Sequence, residues 1–280
     1  MIGVALTAVG TGLEECAATI GKRQVLRHAE SVPTMGVLHL IVGAVVFLGI
    51  VVVHPSSFVL ASASLPILVP RLALEIFQAH VTLTAIARAD RSTFSFLRML
   101  TIPVLLGVDV LLGYSLRTTQ FVGALVVMAV LTFALLERGI RARGAGLVVV
   151  SALNSALTIS LYKYTITHYN SVVAEQLVST LVLLGYFAVL ARVRAHEHPL
   201  AFLRRPMFLV ESLAQGVGGV IEGFAYAFAP AAVIVAAKRS TAVLWSIGTG
   251  NHVFHESHLA VKMVTGVGLI VGIVLLAMGG

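Results

Sequence analysis

The sequence predicts an all-α integral membrane protein: ten transmembrane helices arranged as two inverted five-helix repeats. Composition, the spacing of hydrophobic runs, and a sequence similarity between the two halves each point there. Of the 280 residues, 58% are hydrophobic and only 11% are charged, and the mean hydropathy is +0.99. A water-facing surface typically needs about 25% charged residues, so most of this surface faces something apolar. A helix crossing a hydrocarbon core of roughly 30 Å needs about 20 apolar residues, so ten spans use roughly 200 residues and leave loops of about eight. No separate soluble domain fits into that remainder.

Hydrophobic runs bounded by charges or by Pro and Gly place the spans at 1–21, 34–53, 64–88, 93–114, 119–137, 145–163, 171–191, 207–236, 241–255 and 260–279. The first run contains Glu14 and Glu15, which makes it less apolar than a lipid-facing helix, and ends at Lys22. The eighth is long and contains Pro230, which predicts a kink. Many of the 25 glycines lie inside the runs, where small residues let helices approach closely when lipid competes for apolar surface.

The net charge of +7 and a pI near 10 do not indicate nucleic-acid binding, because the basic residues fall at the ends of the runs. Fourteen lie on the side of the odd-numbered loops (Lys22, Arg23, Arg27, Arg88, Arg91, Arg98, Arg138, Arg141, Arg143, Arg192, Arg194, Arg204, Arg205 and Lys262). Five lie opposite: Arg71, Arg117, Lys163, Lys238 and Arg239. The positive-inside rule then makes the odd loops cytoplasmic and both termini external. The lone Cys16 excludes an internal disulfide and a cysteine-based zinc cluster. The first run reads as a span rather than a signal peptide, with no basic residue before Lys22.

The stretch Ile86-Ala-Arg-Ala-Asp-Arg-Ser-Thr93 resembles Ile234-Val-Ala-Ala-Lys-Arg-Ser-Thr241 at an offset of 148, and Lys22 and Lys163 each close the first helix of a half. The chain therefore divides into 1–141 and 142–280, two repeats that form one transmembrane domain. Five helices per half is an odd number, so the second half enters the membrane inverted, an arrangement that points to transport.

Several stretches resemble the EamA-type proteins of the drug/metabolite transporter superfamily: Tyr226-Ala-Phe-Ala-Pro-Ala-Ala through Lys238-Arg-Ser-Thr241, then Phe254-His-Glu256, then Lys262-Met-Val-Thr-Gly266. Glu256 and Gly266 match a glutamate and glycine spacing of that family, and Asp109 and Gly123 form a looser version in the first half. The resemblance covers nearly the whole chain and implies a ten-helix bundle carrying small organic solutes. Family members usually have cytoplasmic termini, and the charge distribution here departs from that.

Ionisable residues inside a span cost at least about 2.5–3.5 kcal/mol on insertion scales, which makes them functional candidates. Glu211, Gln215, Gly218, Glu222 and Tyr226 recur at spacings of three and four, so they share one face of the eighth span. Arg71, Glu75, Gln78 and Thr82 repeat the pattern in the third. The substrate-binding candidates are therefore Glu75, Gln78, Glu211, Gln215, Glu222 and Tyr226. Glu75 and Glu222 facing one cavity would bind a cation or a proton; the alternative for Glu75 is a structural pair with Arg71 one turn away. Ser151, Asn154, Ser155, Thr158 and Tyr162 form a weaker polar face in the sixth span, since hydroxyls often bond their own helix backbone. Lys163, Glu175 and Gln176 divide between anchoring and contact roles.

Asn251-His-Val-Phe-His-Glu-Ser-His258 lacks the His-Glu-x-x-His order of metalloproteases and reads as a helix-end cap, so no metal is expected. No phosphate loop or nucleophile elbow is present in the sequence, and neither catalysis nor a cofactor is expected. The expectation is a multi-pass secondary transporter of the cytoplasmic membrane, monomeric or homodimeric. Its partners are a small-molecule solute, membrane lipids and, as the candidate coupling ion, protons; nucleic acid is not among them. A lipid-linked flippase of the same fold and a non-transporting membrane subunit are the alternatives.

Overall fold

A computed structural model describes residues 2–111, 118–136, 144–228, 231–253 and 259–277. Twelve helices and two short 3-10 turns make up its regular structure, with no strand among the described residues. Helix α1 covers Ile2–Leu26, α2 Val32–Val53, α3 Leu65–Arg88, α4 Arg91–Arg98, α5 Thr101–Leu111 and α6 Thr118–Leu136. Helix α7 covers Ala145–His168, α8 Val172–Val193, α9 Pro199–Phe202, α10 Pro206–Phe228, α11 Ala231–His252 and α12 Leu259–Ala277.

Among the described residues, four segments are long and apolar enough to cross a membrane: Val32–Val53, Pro55–Arg88, Ala145–His168 and Val172–Val193. At about 1.5 Å per residue, a 22-residue helix such as α2 covers about 33 Å, one hydrocarbon thickness. The molecule is thus an all-helical protein with membrane-crossing segments.

Local chemistry accounts for the helix ends. Ser31 starts α2 by accepting a hydrogen bond from the Thr34 amide, with Pro33 in the first turn, where a missing N–H costs nothing. Ser171 caps α8 in the same way and also donates to the Ser57 carbonyl at 2.6 Å, tying the 3-10 turns before α3 to the start of α8. Gly144 precedes α7 with φ of 77°, a left-handed conformation suited to a residue without Cβ.

Three expected spans are redrawn. The run 93–114 is split into α4 and α5 at Met99–Leu100. Pro103 explains the break, because it has no N–H for the carbonyl four residues back and its ring crowds that carbonyl. The runs 207–236 and 241–255 also shift: α10 ends at Phe228 and α11 already begins at Ala231, just after Pro230 in the sequence. Lys238-Arg-Ser-Thr241 therefore lies within α11 and not in a loop between two spans, whereas its earlier counterpart Arg91-Ser-Thr93 opens α4. The boundary near residue 141, Pro230 and Phe254–His258 lie outside the described residues.

The packing crosses between the two ends of the chain. Helix α1 packs on α10 and α11, and α7 packs on α3, α4 and α5. Helix α2 packs on α8 and α10, α6 on α12, and α4 on α11. The α1–α10 contact depends on glycine: a Cβ on Gly10 would lie 2.8 Å from the Gly218 carbonyl oxygen, and one on Gly218 would lie 2.7 Å from that of Gly10. Two backbones meet there without side chains between them, as in close-packed membrane helices.

Candidate functional site

The polar residues of α3 and α10 lie along their helices in groups with different partners. Between Glu211 and Tyr226 the α10 axis rises about 22 Å, too far for one small solute to touch both ends.

Glu211 occupies the first turns of α10, fully buried, with its Oε1 3.1 Å from His39 Nε2 of α2. Two further carboxylates approach from loops. Glu197 accepts from Ser31 Oγ at 2.6 Å and from the Thr34 hydroxyl, and Glu30 is buried with neither carboxyl oxygen hydrogen-bonded. Burial, followed by the charges of Glu211 and Glu197, pushes the Glu30 carboxyl up to about 10, so it holds its proton at neutral pH. Gln215, one turn further along α10, is half-buried.

Glu222 belongs to a different group. Lys238 Nζ of α11 donates to Glu14 Oε2 of α1 at 2.7 Å and also to Glu222 Oε2 of α10. One ammonium thus joins two carboxylates from opposite ends of the chain, beside the glycine contact of α1 and α10. Next to it, Arg91 of α4 is paired with Glu15 of α1. Arg98 of α4 and Arg239 of α11 lie on two helices that pack on each other. Arg98 donates to Ser155 Oγ at 2.8 Å and lies 5.5 Å over the Phe94 ring. Arg239 is only 4% exposed, and its Nε has no hydrogen-bond partner.

Gln78 connects to this group through Ser155. Its Nε2 lies 2.7 Å from Ser155 Oγ, 2.9 Å from Ser151 Oγ and 2.9 Å from Thr82 Oγ1, three acceptors for two protons, while its Oε1 accepts from Asn154 at 3.0 Å. The serine face of α7 is therefore the partner of the α3 polar stripe and does more than bond its own helix.

Glu75 is paired with Arg71, whose Nη1 lies 2.8 Å from Glu75 Oε1. The other arm of Arg71 donates to Glu175 Oε2 at 2.7 Å and to Ser179 Oγ at 2.6 Å. Asn170 closes the far side of Glu175 at 2.6 Å. The Arg71 guanidinium lies 5.2 Å from the Tyr162 ring centroid, and Tyr162 meets Tyr226 edge-on at 5.7 Å. Lys163 donates to the Tyr226 carbonyl at 2.8 Å.

The structure therefore brings Glu75 and Tyr226 into one group through Arg71 and Tyr162, and connects Gln78 to the neighbourhood of Glu222 through Ser155 and Arg98. Glu211 is about 16 Å from Glu222 along the helix, with its own partners. The two carboxylates that share a cation are Glu14 and Glu222; Glu75 makes the alternative pair with Arg71. Sequence reasoning missed the importance of Glu14, Arg98, Lys238 and Arg239. The signal was present, since Glu14 interrupts an apolar run, but assigning Lys238 and Arg239 to a loop concealed it. His255, Glu256 and His258 lie outside the described residues, as does the Asp109 side chain. Among the described residues no set of three or more His, Cys, Asp or Glu side chains is placed to hold a metal ion.

Chemically, Lys238 is held by attraction that another cation or a proton can compete for, and the two arginines offer donors to an anion. Compared with known protein families and with curated proteins, the chain matches none.

Proposed function

We propose that the chain is a secondary transporter that moves a small organic metabolite by alternating access between two inverted five-helix repeats, 1–141 and 142–280. The observation that carries this reading is the charged group at the junction of α1, α4, α10 and α11, which joins residues of both repeats. Buried charge is expensive in a membrane protein and marks solute and ion pathways. It favours transport over a purely structural subunit, whose helix contacts need no such charges.

The packing supports the repeat. If α1 corresponds to α7, α3 to α10, and α4 with α5 to α11, then the contact of α1 with α10 and α11 has its counterpart in that of α7 with α3, α4 and α5. The contacts of α2 with α8 and of α6 with α12 each map onto themselves. Exchange of partners about a two-fold axis is what an inverted repeat requires. With α4 and α5 taken as one broken span and the short α9 excluded, the count is ten. The EamA-like stretches and a multi-pass place in the cytoplasmic membrane, with the odd loops inside, belong to the same reading. In it, Glu75, Gln78, Glu222 and Tyr226 line or support the solute path, and Glu211 with Gln215 serves the cytoplasmic end. A proton exchanged at the Glu14–Lys238–Glu222 group is the coupling step.

The test is flux in proteoliposomes loaded with a metabolite mixture, with and without an imposed pH gradient. Gradient-dependent release of one component, reduced about tenfold or more in Glu222→Gln and in Glu75→Gln, is expected. Full transport by both variants would refute the assigned site.

A further inference from the structure

With every group ionised, the Arg71 cluster holds two negative charges against one positive. Arg71 lies between two carboxylates, with Nη1 2.8 Å from Glu75 Oε1 and Nη2 2.7 Å from Glu175 Oε2. No other cation is within ion-pair distance of either glutamate among the described residues. Helices α1, α2, α4, α7 and α8 pack against α3, and their titratable groups have partners of their own. On α7, Tyr162 presents its ring to Arg71, and Lys163 donates to the Tyr226 carbonyl of α10. On α1, Glu14 is paired with Lys238, Glu15 with Arg91 of α4, and Lys22 with the Ala89 carbonyl. Arg98 of α4 donates to Ser155, His39 of α2 faces Glu211, and Tyr186 of α8 meets His80 of α3.

An unbalanced charge inside a membrane-crossing segment is costly, and a carboxyl removes it by taking a proton. The geometry shows which carboxyl does so. Glu175 has both oxygens engaged, Oε2 by Arg71 and Oε1 by Asn170 at 2.6 Å. Glu75 has only Oε1 in a hydrogen bond; its Oε2 is buried and has no partner. The side chain of Glu175 is fully enclosed, whereas that of Glu75 keeps 19% exposure, which leaves a way in and out for a proton.

A neutral carboxyl fits this pattern, with Oε1 as the carbonyl oxygen that accepts from Arg71 and Oε2 as the protonated one. A metal ion does not fit. Hard cations take about six oxygen ligands, and here one carboxylate oxygen is free.

We propose that Glu75 is a proton-binding site whose proton decides which carboxylate holds Arg71. With Glu75 neutral, Arg71 belongs to Glu175, so α3 is fastened to α8. Asn170 extends that link, donating to Glu175 and to Ser64 Oγ and accepting from the Ala61 amide just ahead of α3. When the proton leaves to water, Glu75 competes for the same guanidinium from one turn away on its own helix, and the link to α8 weakens. This proton site is separate from the Glu14–Lys238–Glu222 group. Its use in flux rests on the transporter reading; the binding of the proton does not.

The experiment is infrared spectroscopy of the purified full chain in neutral detergent at neutral pH, in light and heavy water. A protonated carboxyl has a C=O stretching band that an ionised carboxylate lacks, and deuterium shifts it. Such a band, present in the wild type and lost in Glu75→Gln, is expected. Glu75→Asp guards against a variant that simply misfolds: it should move the band, while Glu175→Asp leaves it in place. Glu175→Gln frees Arg71 for Glu75, so the same band should vanish although the replaced residue carried no proton. No band lost in Glu75→Gln, or a band that moves with Glu175→Asp instead, overturns the proposal. So does a band that grows only when sodium is exchanged for choline at constant ionic strength, which would give the place to a metal ion. The band without any pH-dependent flux in proteoliposomes would remove the transporter reading and leave the proton site standing. Gradient-driven flux in a chain whose spectrum Glu75→Gln does not change would do the reverse.

Discussion

Lys238 sits between Glu14 and Glu222, so removing its charge leaves two carboxylates beside each other with little water to separate them. Breaking a buried pair on one side costs about 3–5 kcal/mol, and Lys238→Met is expected to lower the thermal midpoint accordingly. Adding Glu14→Gln should recover part of the loss, because one unpaired charge goes with it. A double variant no more stable than the single one would show that the pair is not what holds this position. Glu30 provides the pH-dependent case at the same scale. Its folded carboxyl titrates at about 10 against an ordinary value of 4.5, because burial and then Glu211 and Glu197 disfavour its charge. Between these limits the folded chain holds a proton that the unfolded chain has released, so stability falls as pH rises. Glu30→Gln should flatten that decline in melts recorded from about pH 5 to pH 9. An unchanged slope would place the pH dependence elsewhere.

At the scale of elements, helix ends here are decided by single side chains. Ser171 accepts from the amides of Ala174 and Val59 and donates to the Ser57 carbonyl, so one hydroxyl both starts α8 and fastens the segment between α2 and α3. Ser171→Ala is expected to cost about 1–2 kcal/mol, with faster proteolysis within residues 54–64 as the specific readout. Loss of stability without increased cleavage there would mean the cap acts on α8 alone. The redrawn boundaries belong to this scale too. The apolar character of the four membrane-crossing segments was legible in the sequence because hydropathy depends on composition over about 20 residues, but helix ends were not. Pro103 acts over a turn, shorter than any such window, and it divides α4 from α5.

For the whole molecule, the question is whether the early and late helices are joined as the packing has them. A Cβ on Gly268 of α12 would lie 3.7 Å from the Val130 Cβ of α6, close to the roughly 3.8 Å typical of a disulfide. In a Cys16→Ser background, Gly268→Cys with Val130→Cys should therefore cross-link on mild oxidation, read by peptide mass mapping. Failure to form the bond would remove the α6–α12 contact, and with it one of the self-paired contacts that the proposed inverted arrangement requires.

By itself the sequence determined that the chain is helical and hydrophobic, that charges interrupt its runs, and that polar residues share faces of α3 and α10. These are properties of composition and of a 3.6-residue period, both carried in the linear order of residues. Only the tertiary structure decided which charges meet. Glu75 and Glu222 sit on similar polar faces of α3 and α10, yet one is held by Arg71 and the other by Lys238. Glu14 and Lys238, 224 positions apart, became partners because Gly10 and Gly218 let α1 and α10 touch. Ion pairing falls off within a few ångströms, and distances that short across the bundle are set by backbone approach, for which the linear order carries no direct signal.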